Sequence, residues 1–142
     1  MANAIVFAHA SDRISGRASW ALALPMLGSK LAGWEPGLDA AMALIAVQAV
    51  LAVRRCGRLE AMAVQVRLVY LLLLIAGSAP ALGLVHLLQF AAAAVNAAFG
   101  YCLLGRALSL LPWNREAPIS ASLLETTFLG PARFECPGRT AA

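Results

Sequence analysis

The chain has 142 residues and a formal net charge of +4, and 61% of its residues are apolar while only 13% are charged. Soluble domains carry about 25% charged residues, but these averages alone could still describe a soluble protein with a large core. The length excludes two ordinary domains. A basic protein that binds nucleic acid places its cations on a polar face. Here they lie at the ends of apolar segments, so we expect no nucleic-acid partner.

The distribution of charge indicates the solvent. Between Arg67 and Arg106 the chain has 38 consecutive residues without Asp, Glu, Lys or Arg. A helix needs about 20 mostly apolar residues to cross a bilayer. We therefore predict an all-α integral membrane protein that forms a single membrane domain with about four transmembrane helices.

The N-terminal part is predicted to be a cytoplasmic segment, residues 1–17, followed by a short first span over 18–34. That span contains a proline and a lysine, so a re-entrant or interfacial helix is the alternative. Trp20 and Trp34 flank it, as expected of aromatic anchors at the membrane interface.

The second span is predicted over 37–56. A single polar residue, Gln48, interrupts it, and the basic pair Arg54 and Arg55 lies at its end, where interfacial anchors are expected.

A helical hairpin is predicted in the C-terminal half, with a third span over 61–79 and a fourth over 81–105. Gly77 and Pro80 lie between them and are typical of a helix end. Because the turn is short, the two helices should be antiparallel neighbours. Arg106, at the end of the fourth span, is predicted to reach the lipid phosphates.

Trp113 and Arg115 follow the last span as further interface anchors. Apolar residues then recur at helical spacing over 118–129, which predicts a short amphipathic helix lying on the inner leaflet. Residues 130–142 are predicted to be a flexible tail.

The basic residues also predict orientation. Ten arginines fall in segments that would face the cytoplasm if the N-terminus does, whereas only Lys30 falls in an outer segment. The positive-inside rule therefore places both termini in the cytoplasm and the protein in the inner (cytoplasmic) membrane, as a multi-pass protein. The three cysteines would then lie near the reducing side, so no disulfide and no zinc site are expected.

The fourth span carries the candidate functional face. The residues His86, Gln89, Ala93, Asn96 and Gly100 are spaced by three, four, three and four positions. This spacing places them on one side of a helix. One interpretation is a ligand or proton site centred on His86. The other is a packing seam, in which the amides bond across helices to Gln48, Tyr70 or backbone carbonyls.

No catalytic or metal-binding motif occurs, and no cofactor is predicted. A single-histidine contact with a pigment or haem at His86 is left open. The sequence therefore favours an accessory or scaffolding subunit, or an assembly factor, that binds other membrane subunits within the lipid bilayer. The alternative is a small transporter or channel, or a single-histidine cofactor protein, that uses the polar face of the fourth span.

Overall fold

The computed structural model describes the backbone of residues 2–115 and 117–130, and the side chains of residues 16–115 and 117–130. Over these residues the fold is entirely helical, with six α-helices, one 3₁₀ turn and no strand. The helices are α1 (Ala2–Leu31), α2 (Pro36–Cys56), α3 (Met62–Gly77), α4 (Leu84–Phe99), α5 (Leu103–Ser109) and α6 (Ala121–Leu129). The predicted all-helical class is thus confirmed for the described part of the chain. The predicted flexible tail lies outside the described residues, apart from Gly130.

The first four helices form an antiparallel bundle. Helix α1 packs against α2 and α4, and α3 packs against the same two helices from the other side. Short connections join consecutive helices, which makes each pair antiparallel. The buried apolar core comprises Trp20, Ala23, Leu27, Leu38, Ala41, Ile45, Val66, Tyr70, Leu74, Ala93 and Leu108.

Helix α1 is longer than the predicted first span. It runs without interruption from Ala2 to Leu31, so most of the segment expected before the span is helical too. Pro25 lies inside this helix and does not end it. Core residues lie on both sides of the proline, at Ala23 and Leu27, so packing against α2 and α4 holds the helix together there.

The second and third predicted spans coincide closely with α2 and α3. Helix α2 ends at Cys56, where the N–H of Gly57 closes the last turn on the carbonyl of Val53 at 2.8 Å. Helix α3 has 16 residues and ends at Gly77, after which the N–H of Ser78 donates a hydrogen bond to the carbonyl of Ile75 at 3.2 Å.

The expected continuous helix over 81–105 is wrong. Residues Pro80–Leu82 form a 3₁₀ turn, α4 ends at Phe99, and α5 leaves it at an angle of 98°. Gly100 causes the break, because it adopts a left-handed conformation with φ of 68° and its N–H bonds to the carbonyl of Asn96 at 2.8 Å. Glycine is the residue that accepts this conformation without a steric penalty.

Length and apolar composition identify one helix in the described part, α2, that is able to cross a membrane. Helices α4 and α5 satisfy the same criterion only when they are taken together as one bent span. Helix α3 is strongly apolar, but its 16 residues extend over about 24 Å at helical rise.

The outside of the bundle is rich in large apolar side chains. On α3 and α4 the exposed ones are Leu68, Leu72, Ile75, Leu84, Leu87, Leu88, Val95 and Phe99. No charged residue interrupts either outer face beyond Arg67. The surface of this hairpin is therefore as apolar as its interior.

Candidate functional site

Four of the five residues predicted to share a face of α4 point into the bundle. The exposed fractions of their side chains are 3% for His86, 4% for Gln89, 2% for Ala93 and 9% for Asn96. Gly100 does not belong to this face, because it lies on the surface and ends the helix. The helical period thus places the polar groups of α4 inside the protein rather than on the outer surface of the bundle.

Gln89 is bonded twice to the same residue of α3. Its Nε2 donates to the carbonyl of Tyr70 at 3.0 Å, and the Tyr70 hydroxyl donates back to the carbonyl of Gln89 at 3.0 Å. Trp20 of α1 packs edge-on against the tyrosine ring, with 4.8 Å between centroids. Three helices therefore meet at this reciprocal pair, and the Gln89 side chain joins them.

His86 is bonded to the end of α3. Its Nε2 lies 3.2 Å from the carbonyl oxygen of Leu74. The helix leaves this carbonyl available, because the N–H of Ser78 bonds to Ile75 instead. The Nε2 atom must then carry the proton, since two acceptors would repel each other. His86 thus serves as a donor for a helix C-terminus.

Gly77 leaves the space that the side chain of His86 occupies. A Cβ atom at residue 77 would lie 2.9 Å from the Nε2 atom of His86, which is closer than side chains tolerate. The imidazole therefore fills the space that the glycine leaves. This fit is a packing arrangement within the chain.

Gln48 is buried but does not join the polar face of α4. Its Nε2 donates to the carbonyl of Ser19 at 2.9 Å, so it connects α2 to α1. The bonds expected between Gln48 and the amides of α4 are therefore absent among the described hydrogen bonds. The small residues of α4 likewise face the chain itself, since Ala93 lies in the bundle core.

The predicted interface anchors divide into two groups. Trp34, Trp113, Arg54 and Arg55 are exposed, as an anchor must be, and Arg115 is half-buried. Trp20 is buried against Tyr70. The prediction of an interfacial Trp20 is therefore wrong, because the indole packs against Tyr70 of α3 in the core of the bundle.

Arg106 is also buried, with 6% of its surface exposed, so the prediction that it extends to lipid phosphates is wrong. Its guanidinium donates to the carbonyls of Thr127 and Gly130, and it lies 4.3 Å from the ring centroid of Tyr101. The Tyr101 hydroxyl donates to the carbonyl of Phe128 at 3.2 Å. Arg106 and Tyr101 thus hold the C-terminal end of α6, where a cation is favoured by the helix dipole.

Two further contacts had no counterpart in the sequence prediction. The amides of Gln65 and Asn114 bond to each other in both directions, at 3.2 and 2.7 Å. Arg17 of α1 donates to the carbonyls of Ala97 and Ala98 in the last turn of α4. Partners this far apart in sequence leave no local periodicity, so pattern reasoning could not pair them.

The cysteines depart from expectation at one position. Cys56 is disulfide-bonded, so the expected absence of disulfides is wrong, whereas Cys102 is a free thiol. The third cysteine, Cys136, lies outside the described residues. Among the described residues, no group of three or more His, Cys, Asp and Glu side chains is placed to hold a metal ion.

No protein-family model matches this chain, and comparisons with curated proteins and with solved structures find no match. In the bundle, His86 and Gln89 already bond to their own chain.

Proposed function

We propose that this chain is a multi-pass protein of the cytoplasmic membrane that acts as an accessory or scaffolding subunit, or an assembly factor, of a larger membrane complex. The observation that supports this best is the distribution of polarity in the bundle. The buried face of α4 carries His86, Gln89 and Asn96, while its outer face carries large apolar side chains. A helix in water has the opposite arrangement.

The apolar exterior favours lipid over water as the surrounding solvent. Soluble monomers rarely expose contiguous apolar patches above a few hundred Å². Here exposed leucines, with one isoleucine, one valine and one phenylalanine, extend along both helices of the hairpin without a charge between them. In a bilayer these side chains contact acyl chains, and the buried amides bond to neighbouring helices.

The four-span arrangement follows from the bundle together with this solvent. If α2 crosses the membrane, then α1, α3 and α4, which pack beside it in antiparallel order, lie at the same depth. Helix α3 is short for a hydrocarbon core of about 30 Å, and local thinning of the bilayer accommodates such a span. Helix α5, bent away from α4, then lies along the interface with α6.

The bundle gathers its cations at one end, which we assign to the cytoplasm. Arg54, Arg55, Arg58 and Arg67 lie where α2 ends and α3 begins, and Arg17 of α1 contacts the last turn of α4 at the same end, whereas Lys30 lies at the opposite end. Lys30 is also paired with Glu35 at 2.5 Å. The positive-inside rule places the arginine end in the cytoplasm.

The disulfide at Cys56 favours the opposite orientation, with this end outside the cytoplasm, because disulfides persist mainly in oxidising compartments. We give the greater weight to the arginines, since topology follows the whole set of basic residues near the span ends.

Fusions of alkaline phosphatase and of green fluorescent protein to residue 115 and to residue 33 distinguish the two orientations. We expect fluorescence at residue 115 and phosphatase activity at residue 33, and the reverse pattern would overturn the orientation.

An accessory role, without catalysis, fits the hydrogen bonds that the buried polar side chains of α4 already make within the chain. A ligand site needs donors and acceptors that are free to bind a ligand, yet the Nε2 atoms of His86 and Gln89 both bond to carbonyls of α3. The free surface of the bundle is apolar, and another membrane helix can pack on it. We therefore place the partner on the outer faces of the helices.

The mass of the native particle tests the accessory role. After extraction in a mild detergent through a C-terminal tag, we expect a particle several times the 14.8 kDa chain mass, containing other subunits. The variant His86→Ala should keep these subunits, because its side chain bonds only within the chain. A lone monomer or a small homo-oligomer would contradict the proposal.

One observation favours the alternative of a small transporter, channel or single-histidine cofactor protein. The Oε1 atom of Gln89 is buried and has no hydrogen-bond partner among the described residues. A buried acceptor without a donor is a place where a ligand can bond. Under this alternative His86→Ala would abolish transport or a visible absorption band, while the particle mass would equal that of the chain alone.

A further inference from the structure

At the arginine end of the bundle, the described residues include one carboxylate, that of Glu60 in the loop between α2 and α3, and it forms no ion pair with the arginines. The ion pair that the described side chains form joins Lys30 to Glu35 at the opposite end. Arg54, Arg55, Arg58 and Arg67 have no carboxylate partner among the described residues. An uncompensated group of cations beside a bilayer attracts anionic lipid.

Arg67 stands out within this group because it lies deepest. It follows the first residue of α3, Met62, by five positions, which places it about 7–8 Å along the helix. Its guanidinium is half-buried, with one terminal nitrogen donating to the carbonyl of Ala63 at 2.6 Å. The Nε atom is buried and has no partner. A charge at this depth is costly unless an anion or another polar group joins it.

Arg55 of α2 lies near enough to Arg67 for the two positive charges to interact unfavourably. The two helices pack side by side through Ala52 and Val64, each three positions before one of these arginines, so both arginines lie beside the groove between α2 and α3. An anion between them would turn the repulsion into attraction, since each guanidinium donates several hydrogen bonds in a plane. Phosphate oxygens accept such bonds from two arginines at once.

We propose that Arg55 and Arg67 bind the headgroup phosphate of an anionic phospholipid from the cytoplasmic leaflet, in the groove between α2 and α3. This inference rests on the membrane placement argued above. A lipid fits better than free phosphate because the exposed side chains next to the pair, Leu51 on α2 and Leu68 on α3, are apolar. Acyl chains attached to the phosphate would cover them.

Native mass spectrometry of the full-length, delipidated protein in detergent tests this site, with phosphatidylglycerol and phosphatidylcholine as the probes. We expect phosphatidylglycerol to bind at least tenfold more tightly than phosphatidylcholine. Arg67→Gln and Arg55→Gln should each weaken phosphatidylglycerol binding about tenfold. The matched control Arg54→Gln removes the same charge from an exposed neighbour and should change binding less than twofold.

Each contrary outcome has a clear meaning. Equal binding of the two lipids, or equal losses in Arg67→Gln and Arg54→Gln, would overturn the site in favour of general attraction between charges. Displacement of the lipid by millimolar inorganic phosphate would overturn the choice of a lipid. Circular dichroism of each variant, with unchanged helix content expected, excludes misfolding as the cause of a loss.

Failure of the membrane placement would be seen separately. A chain that stays monomeric in buffer without detergent, and that does not float with lipid vesicles, would overturn the proposed function. That result does not depend on how phosphatidylglycerol and phosphatidylcholine compare in binding. A chain that floats with vesicles but binds both lipids equally would overturn the phosphate site alone.

Discussion

Replacing Ala93 with leucine is expected to destabilise the helix bundle. The methyl group of Ala93 is 2% exposed and lies in the core of the bundle. Added methylene groups in a packed core cost about 1–3 kcal/mol through strained rotamers and shifted backbone. We expect Ala93→Leu to lower the midpoint of thermal unfolding in detergent by several degrees.

Val95→Leu is the matched control for this change. Residue 95 is two positions further along α4, and its side chain is exposed on the outer face. An added methylene there meets lipid or detergent, so the unfolding midpoint should stay within about one degree of the parent. Equal effects of the two variants would mean that α4 does not present Ala93 to the core.

Replacing Arg106 with glutamine should release α6 from the bundle. The guanidinium donates to two carbonyls at the end of α6, and hydrogen bonds from charged groups contribute about 1.5–3 kcal/mol each. We expect a glutamate-specific protease to cleave after Glu125, in the middle of α6, at least tenfold faster in Arg106→Gln. A tenfold change corresponds to about 1.4 kcal/mol in the opening equilibrium.

Tyr101→Phe provides a graded comparison for the same contact. It removes the hydroxyl that bonds to Phe128 but keeps the ring beside the guanidinium. We expect a smaller acceleration of cleavage, of about two- to fivefold. Arg54→Gln, which removes an exposed arginine elsewhere, should leave the rate unchanged. If Arg106→Gln also leaves it unchanged, α6 is not held by this residue.

The features that could be predicted from the sequence are those with local signals. Helix α2 is bounded by Pro36 and Gly57, and the segment between them is mostly apolar. The antiparallel arrangement of α3 and α4 could be predicted because the turn between them is short. The inward face of α4 followed from spacing alone, because polar residues three and four positions apart must share one side of a helix.

The break in α4 shows what local signals leave out. A single glycine in an apolar helix is usually tolerated, so Gly100 alone did not predict an end. The end of α4 at this point is stabilised by Arg17, whose guanidinium donates hydrogen bonds to the carbonyls of Ala97 and Ala98. These partners lie 80 and 81 positions from Arg17 in the sequence. No pattern in the sequence near Gly100 reports this contact.

The burial of Arg106 could not be predicted for a similar reason. A basic residue just after an apolar run is most often drawn to lipid phosphates. The competing acceptors, the carbonyls of Thr127 and Gly130, belong to a helix that begins only at Ala121. The choice between the two interpretations of the α4 face likewise depended on Tyr70 and Leu74, which lie on another helix.

The bonds from Arg17 to α4 also determine when the protein can reach its final form during synthesis. The ribosome releases α1 first, and the carbonyls that Arg17 binds emerge some 80 residues later. Until then, α1 can contact α2 but lacks the second helix against which it packs. The four-helix bundle is therefore closed by a contact between its first and its last helix, so it cannot be complete until α4 has been synthesised.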